Sequence, residues 1–193
     1  DIIRMNDFTW NLSANFSYNK NKLLELYNGV EEYVNSTTGL KYMVGHSVTE
    51  YFLNRYAGVN PANGDALWYT ADGELTTEFR EDDKVMTGKT YESPWAGGFG
   101  TTFIWKGISL SAQFSWMAKR YVMNNDRFFE ESNGIYSTYN QSKRLLYNRW
   151  KKPGDITDIP RYDVPAQLDD RFLENTSFLR LKNLTVAYSL PQS

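Results

Sequence analysis

Paired carboxylates are the first residues of this chain whose type and spacing suggest chemistry. Glu130-Glu131 and Asp169-Asp170 are adjacent pairs, and neighbouring side chains on a strand or extended loop point apart. Acid–base catalysis by two carboxylates needs them about 5–9 Å apart and facing one cleft. We therefore expect these pairs to lie in charged loops, and we predict that the chain is not an enzyme.

Metal and nucleotide sites are the next chemistry to consider. The single histidine, His46, has no second histidine or cysteine for a tetrahedral site, and we expect it in a solvated loop. Asp155, Asp158 and Asp163 offer oxygen ligands without the spacing of an EF-hand. The glycines of Gly97-Gly98-Phe99-Gly100 precede a predicted strand, not a helix N-terminus, so they cannot cradle a phosphate. We expect no metal and no cofactor.

Aromatic residues offer a different function, which is contact with a ligand or a partner. They make up 16% of the chain, with 14 Tyr, 11 Phe and 6 Trp, and aromatic faces pack against sugars, protein surfaces and membrane interfaces. A second interpretation is that those in the long polar stretches form small cores that hold these stretches in shape. The candidate contact residues are Tyr51, Arg55, Tyr56, Trp68 and Tyr69.

The segment from Phe8 to Tyr18 alternates without a fault between apolar and polar residues. This period of two predicts a strand with one apolar and one polar face. Eleven residues rising ~3.3 Å each span roughly 36 Å, which a tilt near 45° projects onto about 25 Å. That is the apolar height of a transmembrane barrel.

The segment from Trp95 to Ala118 predicts a hairpin with a two-residue turn at Lys106-Gly107. Pairing Trp105 with Ile108 places one almost wholly apolar set of side chains on one face and small, mostly polar residues on the other. A slip of one residue would mix the two sets, so pattern and turn agree on the register.

A fourth strand is predicted near residues 178–190, where Leu184, Val186, Tyr188 and Leu190 share one parity before Pro191. Arg180 and Lys182 have the same parity, so we expect these charges in the polar margin of a membrane. The residues predicted to face lipid are Phe8, Trp10, Leu12, Phe16, Tyr18, Phe99, Phe103, Leu110, Phe114, Trp116, Leu184, Val186 and Tyr188.

The connections alternate in length, which indicates how the strands cross the membrane. Spanning strands are predicted near 8–18, 95–105, 108–118 and 178–190, joined by long polar stretches at 19–94 and 119–177 and by one two-residue turn. Outer-membrane barrels have long extracellular loops and short periplasmic turns. Because four strands cannot close a barrel, for which about eight are needed, we expect residues 1–193 to be a single partial barrel region.

Composition excludes two classes of protein. The net charge of -2 argues against a nucleic-acid binder, and no run approaches the ~18 apolar residues of a spanning helix. Within the long stretches, the sequence predicts a hairpin from Leu67 to Thr77 around Asp72-Gly73, a short amphipathic helix from Tyr136 to Trp150, and a proline-punctuated loop from Arg149 to Arg161.

Four segments resemble the SusC/RagA family of TonB-dependent outer-membrane transporters, in the family's order. Phe172-Leu173-Glu174-Asn175-Thr176-Ser177-Phe178-Leu179-Arg180-Leu181-Lys182-Asn183-Leu184-Thr185, with Tyr188-Ser189-Leu190-Pro191, is similar to a signature late in the barrel. The others are Tyr56-Ala57-Gly58-Val59-Asn60-Pro61-Ala62-Asn63-Gly64, Gly97-Gly98-Phe99 with Trp105-Lys106-Gly107-Ile108-Ser109-Leu110, and Arg149-Trp150-Lys151-Lys152-Pro153-Gly154-Asp155-Ile156-Thr157-Asp158-Ile159-Pro160-Arg161.

This resemblance implies an all-β, antiparallel, 22-stranded barrel in the outer membrane of Bacteroidetes-type bacteria. It implies import of glycan oligosaccharides or peptides, a SusD-like surface lipoprotein as partner, and energy from TonB through an N-terminal region that these residues lack. The plug domain and the final strands are also missing from the matched pattern. An alternative interpretation of the alternating strands is a secreted soluble β-sandwich that binds glycan or protein through Trp68 and Tyr69.

Overall fold

The computed structural model describes residues 1–35, 40–136 and 138–190. The chain divides into two compact units, which are treated separately below. Unit 1 comprises Asp1–Asn21, Thr90–Tyr121 and Asn175–Ser193, and unit 2 comprises Lys22–Lys89 and Val122–Glu174. Pro191, which follows the last predicted strand in the sequence, lies outside the described residues.

Antiparallel strands make up most of the regular structure, with little helix. Short 3-10 turns cover Tyr27–Gly29, Glu81–Asp83 and Asp170–Phe172. The two α-helices are α1 (Asn125–Glu130) and α2 (Lys143–Tyr147). The strands are β1 (Ile3–Arg4), β2 (Phe8–Tyr18), β3 (Glu32–Val34), β4 (Lys41–Met43), β5 (Glu50–Leu53), β6 (Arg55–Val59), β7 (Ala66–Tyr69), β8 (Leu75–Thr76), β9 (Val85–Thr90), β10 (Trp95–Trp105), β11 (Ile108–Ala118), β12 (Tyr121–Met123), β13 (Leu173–Asn175) and β14 (Phe178–Tyr188).

Unit 1 is built on a five-stranded sheet in the order β1-β2-β10-β11-β14. The register of the β10–β11 hairpin is the predicted one, from Trp105 opposite Ile108 to Trp95 opposite Ala118. Lys106 and Gly107 both have positive φ, 46° and 84°. A tight turn of this kind matches the twist of the two strands and holds the register.

Strand β2 pairs with β10 along its whole length, from Phe8 opposite Trp105 to Tyr18 opposite Trp95. Side chains of directly opposite residues lie on the same face of an antiparallel sheet. The apolar residues of β2 therefore continue the apolar face that the sequence predicts for the β10–β11 hairpin.

A β-bulge corrects the prediction for Arg180 and Lys182. Asn183 lies opposite Gln113, but the next pair is Leu181 with Phe114, so Lys182 is the extra residue. One extra residue reverses the parity of everything before it in the strand. Arg180 therefore shares the polar face with Ser115, and the prediction that it lies on the apolar parity is wrong. The strand also ends at Tyr188, two residues earlier than predicted.

Unit 2 contains small sheets in the orders β3-β4, β5-β9 and β6-β7-β8. The hairpin predicted around Asp72-Gly73 is present as β7 and β8. The predicted helix from Tyr136 to Trp150 is confined to α2, because the Gln141 amide donates to the carbonyls of Tyr136 and Tyr139 and holds a non-helical turn before it. Ser137 of that prediction lies outside the described residues. The buried apolar residues of unit 2 include Leu53, Ala66, Trp68, Leu145, Ile159, Ala166, Phe172 and Leu173.

Candidate functional site

The apolar face of the unit 1 sheet is exposed over much of its area. Leu12, Phe16, Leu184 and Val186 are 47%, 76%, 59% and 70% exposed. The soluble sandwich interpretation requires this face to be packed against a second sheet, and the exposure contradicts it. A large contiguous apolar surface instead marks contact with a membrane or another protein.

The type of side chain on this face changes from one end of the strands to the other. Tyr188 and Trp105 lie in the rows nearest the Lys106-Gly107 turn, and Tyr18 and Trp95 lie opposite each other at the far end, with their rings 4.3 Å apart. The central row, formed by Leu12, Thr101, Ala112 and Leu184, has no aromatic residue. Aromatic rows flanking an apolar centre are typical of a membrane-spanning sheet.

Polar atoms on the apolar face are paired locally. The indole Nε1 of Trp10 donates to Thr101 Oγ1 at 2.9 Å, and the Trp10 ring stacks on Phe103 at 5.6 Å. Phe99 and Phe114 stack at 4.7 Å. Because hydrocarbon offers no hydrogen bonds, internal pairing of this kind is what a lipid-facing surface requires.

The opposite face of the sheet carries small and polar residues. Gly98 N donates to Asn15 Oδ1 at 3.1 Å, and the hydroxyls of Thr102 and Ser111 lie 3.1 Å apart. Arg180 adds a positive charge to this face through the bulge. Such a surface can face water or a polar protein segment.

In unit 2, Trp68 is a core residue with an exposed fraction of 3%. Its Nε1 donates to Asp169 Oδ2 at 2.8 Å, and its ring packs edge-on against Phe79. Asp169 is fully buried, and this burial raises the pKa of its carboxyl, opposed by the nearby Arg171 charge. Trp68 therefore lies in a small core of the kind that the second interpretation of the aromatic residues predicts. Its neighbour Tyr69, 37% exposed, faces outward.

Arg55 and Tyr56, two further contact candidates, have internal partners as well. Arg55 donates to Thr70 O at 2.7 Å, and its guanidinium lies 5.4 Å from the centre of the Tyr69 ring. Tyr56 donates its hydroxyl to Asp158 O at 3.0 Å. Burial raises the pKa of Tyr56 well above its usual range.

The remaining contact candidate, Tyr51, lies on β5 and is half-buried. Its hydroxyl is 3.4 Å from the backbone N of Met123. The contact role of all five aromatic and basic candidates stays a prediction.

The two carboxylate pairs lie at the C-terminal end of α1 and at the start of the 3-10 turn Asp170–Phe172, not in the charged loops that the sequence predicts, and the two members of each pair have different surroundings. Glu131 is 5% exposed and accepts from Arg127 Nε at 3.1 Å and Arg144 at 2.5 Å, whereas its neighbour Glu130 is exposed. Asp169 is buried at the Trp68 indole, whereas Asp170 Oδ1 accepts from Tyr56 N at 2.8 Å.

The candidate metal ligands are engaged elsewhere. Asp155 Oδ2 accepts from the backbone N atoms of Lys151 and Lys152 at 3.0 and 3.1 Å. Asp163 pairs with Arg161, which lowers the pKa of the Asp163 carboxyl. Asp158 pairs with Arg144. His46 Nδ1 lies 3.0 Å from Glu50 Oε2. Within residues 1–35, 40–136 and 138–190, no group of three or more acidic, histidine or cysteine side chains is arranged to hold a metal.

Two segments that carry the family resemblance meet in unit 2, a contact that sequence reasoning missed. Pro61 O accepts from Trp150 Nε1 at 3.1 Å and from Gly154 N at 2.9 Å. Gly64 O accepts from Arg161 N at 2.9 Å, and a Cβ on Gly64 would lie 2.4 Å from the Trp150 ring. The motifs 56–64 and 149–161 are thus two halves of one interlocked structure.

Across the part of the chain that the structure describes, no helix is both long and apolar enough to span a membrane.

Solved structures of a peptide transporter match this chain over almost its whole length. The RagAB peptide transporter aligns with a TM-score of 0.88 and 35% identity, covering 98% of this chain and 22% of that one. The RagAB peptide importer in its closed-closed state aligns with a TM-score of 0.87 at the same identity, again covering 98% and 22%.

Curated relatives point to the same class. TonB-dependent receptor P3 of Formosa agariphila is 27% identical over 97% of this chain and 20% of its own length. TonB-dependent receptor P39 of the same bacterium is 23% identical over 97% of this chain and 22% of its own length. No family model matches the chain. The chain spans about a fifth of the length of these relatives.

The geometry of the sheet, the structural match and the sequence similarity all indicate the same class of protein. The matched region is only a part of each of the larger proteins. The curated relatives are named as receptors, and the solved structures that match the fold of this chain belong to a peptide transporter. The chain is therefore similar, over almost its whole length, to a part of TonB-dependent receptors and of the RagAB peptide transporter.

Proposed function

We propose that this chain forms part of the barrel wall of an outer-membrane, TonB-dependent nutrient importer. The observation that carries the proposal is the sheet of four eleven-residue strands with one exposed apolar face and one small, polar face. The predicted lipid-facing residues all lie on the apolar face. In this role they contact lipid, while the other face lines the inside of the barrel.

The connections support an orientation for the strands. The two-residue turn at Lys106-Gly107 closes one end of the sheet, and the long stretches 19–94 and 119–177 both leave from the other end. On the rule for outer-membrane barrels, the short turn faces the periplasm and the long stretches face the cell exterior. Unit 2, which these stretches form, is then an extracellular structure.

For the whole importer we propose peptides as the favoured cargo, with glycan oligosaccharides as the second candidate. The similarity to a protein described as a peptide transporter supports the first, and the family resemblance of the sequence includes both. A SusD-like surface lipoprotein is the proposed partner, supported by the RagAB neighbours. TonB would act through a region outside this chain.

The proposal is tested in the bacterium that carries the full-length gene. We expect deletion of the gene to abolish growth on a peptide mixture as amino-acid source and to leave growth on free amino acids unchanged. Deletion of tonB should reproduce the defect. A defect on oligosaccharides instead would favour the second cargo, and normal uptake of both cargoes in the deletion strain would contradict the proposed function.

A further inference from the structure

Helix α1 has an inward side and an outward side. On the inward side, Phe128 packs edge-on against the buried Phe172, with the ring centres 5.4 Å apart. Phe129 and Glu130 follow Asp126 by three and four residues, so these three side chains share the other side of the helix. All three are exposed. The fold of unit 2 therefore does not use this side of α1 for its core.

The outward side of α1 forms one wall of a cleft. Asp126, Phe129 and Glu130 line it together with Tyr139 and Asn140, which belong to the non-helical turn before α2. The volume is about 420 Å³, which falls within the range of about 300–1,000 Å³ that is usual for ligand sites. We call these five residues the acidic aromatic cleft.

Internal contacts hold the two walls of the cleft in place. Ser142 N donates to Glu130 O at 3.0 Å and ties the end of the turn to the end of α1. The Tyr136 ring packs edge-on against Phe129 at 4.9 Å and against Tyr139 at 6.2 Å. Because the rings are ordered without a ligand, binding costs them little further conformational freedom.

The cleft is acidic and has no internal cation. Two of its five residues are carboxylates, and none is a lysine or an arginine. Asp126 and Glu130 form no ion pair with any residue that the structure describes. Arg127, which lies between them in the chain, pairs with Glu131 and Glu174 instead. Two unpaired carboxylates four residues apart on a helix repel each other and attract a cation from solution.

Exposed aromatic rings decide which kind of cation suits the cleft. Phe129 and Tyr139 are 39% and 62% exposed, and their ring centres lie 6.2 Å apart. A ring face attracts a cation, and a guanidinium can stack flat on it while pairing with a carboxylate through two parallel hydrogen bonds. A metal ion such as Ca²⁺ needs a shell of oxygen ligands and gains nothing from the rings.

We propose that the acidic aromatic cleft binds the side chain of an arginine in an oligopeptide. The carboxylates of Asp126 and Glu130 pair with the guanidinium, and the rings of Phe129 and Tyr139 pack on its plane and on its aliphatic stem. This inference rests on the proposed function, because peptides are the favoured cargo there. It deepens that proposal by naming arginine-containing peptides as the preferred ligands.

The first test measures binding of two peptides to the full-length receptor in detergent. Both peptides have blocked termini, and they differ only in a central arginine or glutamine. We expect the arginine peptide to bind the wild type roughly tenfold more tightly, and Asp126→Asn/Glu130→Gln should abolish this preference. The matched control, Asp72→Asn/Glu74→Gln, removes two exposed charges from the β7–β8 hairpin and should retain it.

Three outcomes of this binding test would overturn the inference. The first is an equal affinity of the wild type for the two peptides. The second is a preference for arginine that survives in the Asp126→Asn/Glu130→Gln variant. The third is an equal loss of preference in the Asp72→Asn/Glu74→Gln control, because general attraction between charges would then explain the binding.

Substitution of Tyr139 separates a built cleft from such general attraction. Tyr139→Leu removes the ring at an exposed position and should weaken binding of the arginine peptide by roughly threefold. Tyr139→Phe retains the ring and should bind like the wild type. The heat-modifiable mobility of each variant on gels shows that it is folded. Equal binding by Tyr139→Leu and the wild type would overturn the role of the rings and with it the proposed cleft.

Peptide uptake separates this inference from the proposed function. In a deletion strain that carries the Asp126→Asn/Glu130→Gln receptor, we expect wild-type import of the glutamine peptide and slower import of the arginine peptide at subsaturating concentrations. Wild-type import of both peptides by that strain would overturn the inference and leave the proposed function standing. Import of neither peptide through the wild-type receptor would overturn the proposed function as well.

Discussion

Two buried contacts of unit 2 depend on single atoms of single residues. The Trp68 indole N–H is a hydrogen-bond donor to the fully buried Asp169 carboxylate. At Gly64, φ is +78° and the missing Cβ leaves room for the Trp150 ring. Buried polar groups that lose a partner, and glycine positions that gain a side chain, are among the costliest sites for substitution.

Trp68→Phe removes the indole donor and keeps an aromatic ring. We expect the free energy of local opening around β7 to fall by about 1–3 kcal/mol, because Asp169 stays buried with one partner fewer. Amide hydrogen exchange of the full-length receptor measures this. Tyr69→Phe, at the exposed neighbouring position, is the control and should change the value by less than about 0.5 kcal/mol. Equal exchange in the two variants would refute the role of the hydrogen bond.

Gly64→Ala adds a Cβ where φ is positive and the Trp150 ring is 2.4 Å away. We expect a loss of about 2–5 kcal/mol, which combines about 1–2 for the left-handed backbone with about 1–3 for overpacking. Gly73→Ala separates the two effects, since Gly73 has φ +93° and nothing within 4 Å of its missing Cβ. Hydrogen exchange in residues 149–161 is the measurement. A Gly64 variant no worse than the Gly73 variant would show that the contact contributes nothing.

At the scale of the strands, register decides which side chains share a face. The Lys106-Gly107 turn fixes the register of β10 and β11, and β2 extends the same rows of opposite residues. In β14 the extra residue Lys182 changes parity halfway along, so leucines replace charges opposite Phe114 and Trp116. The sheet thereby keeps an apolar face over its full height despite the sequence Arg-Leu-Lys in its last strand.

Substitutions in and beside the central row test which face of the sheet contacts lipid. Leu184→Arg should destabilise the barrel by about 2–4 kcal/mol if this row lies near the membrane midplane. Asn183→Arg, one residue earlier and on the opposite face, should cost much less. Urea unfolding of the receptor in lipid vesicles gives both values. If the two substitutions cost the same, or the order is reversed, the assigned lipid face is wrong.

Deletion of Lys182 tests the bulge itself. Without Lys182, the strand alternates without interruption, so a continuous ladder keeps Leu179 and Leu181 on the apolar face and Arg180 on the polar face. We expect the deletion variant to retain the folded, heat-modifiable form of the receptor on gels. Lys182→Ala retains the extra residue and should also fold normally. Loss of the folded form in the deletion variant alone would mean that Lys182 is not the extra residue of the strand.

At the scale of the whole chain, the sheet has edges that residues 1–190 do not complete. Strand β14 pairs with β11 on one side, and among the described residues it has no partner on the other. On the far side, β1 pairs only with Thr9 and Trp10 of β2. Open edges beside an exposed apolar face are costly in a membrane and prone to aggregation in water.

The isolated 193-residue chain should therefore fail to behave as a water-soluble monomer. We expect it to elute as large aggregates in size-exclusion chromatography without detergent. The exposed apolar face and the unpaired strand edges would both associate with other copies of the chain. Lipid-like detergent should reduce the aggregation. A single species near 22.4 kDa in plain buffer would contradict the assignment of this sheet to a barrel wall.

The amino-acid sequence by itself determined the four long strands of the sheet, the two faces of β2, β10 and β11, and the register of the hairpin. Each of these follows from local periodicity and turn chemistry, which act over a few residues. The resemblance of four segments was enough to predict the class of protein.

Only the tertiary structure decided which distant residues meet. The bulge at Lys182 depends on pairing with β11, the burial of Trp68 depends on Asp169 about a hundred residues later, and the interlock of Gly64 with Trp150 joins two motifs that read separately as loops. Local pattern contains no information on such contacts, because their stability comes from packing and desolvation between segments far apart in the chain.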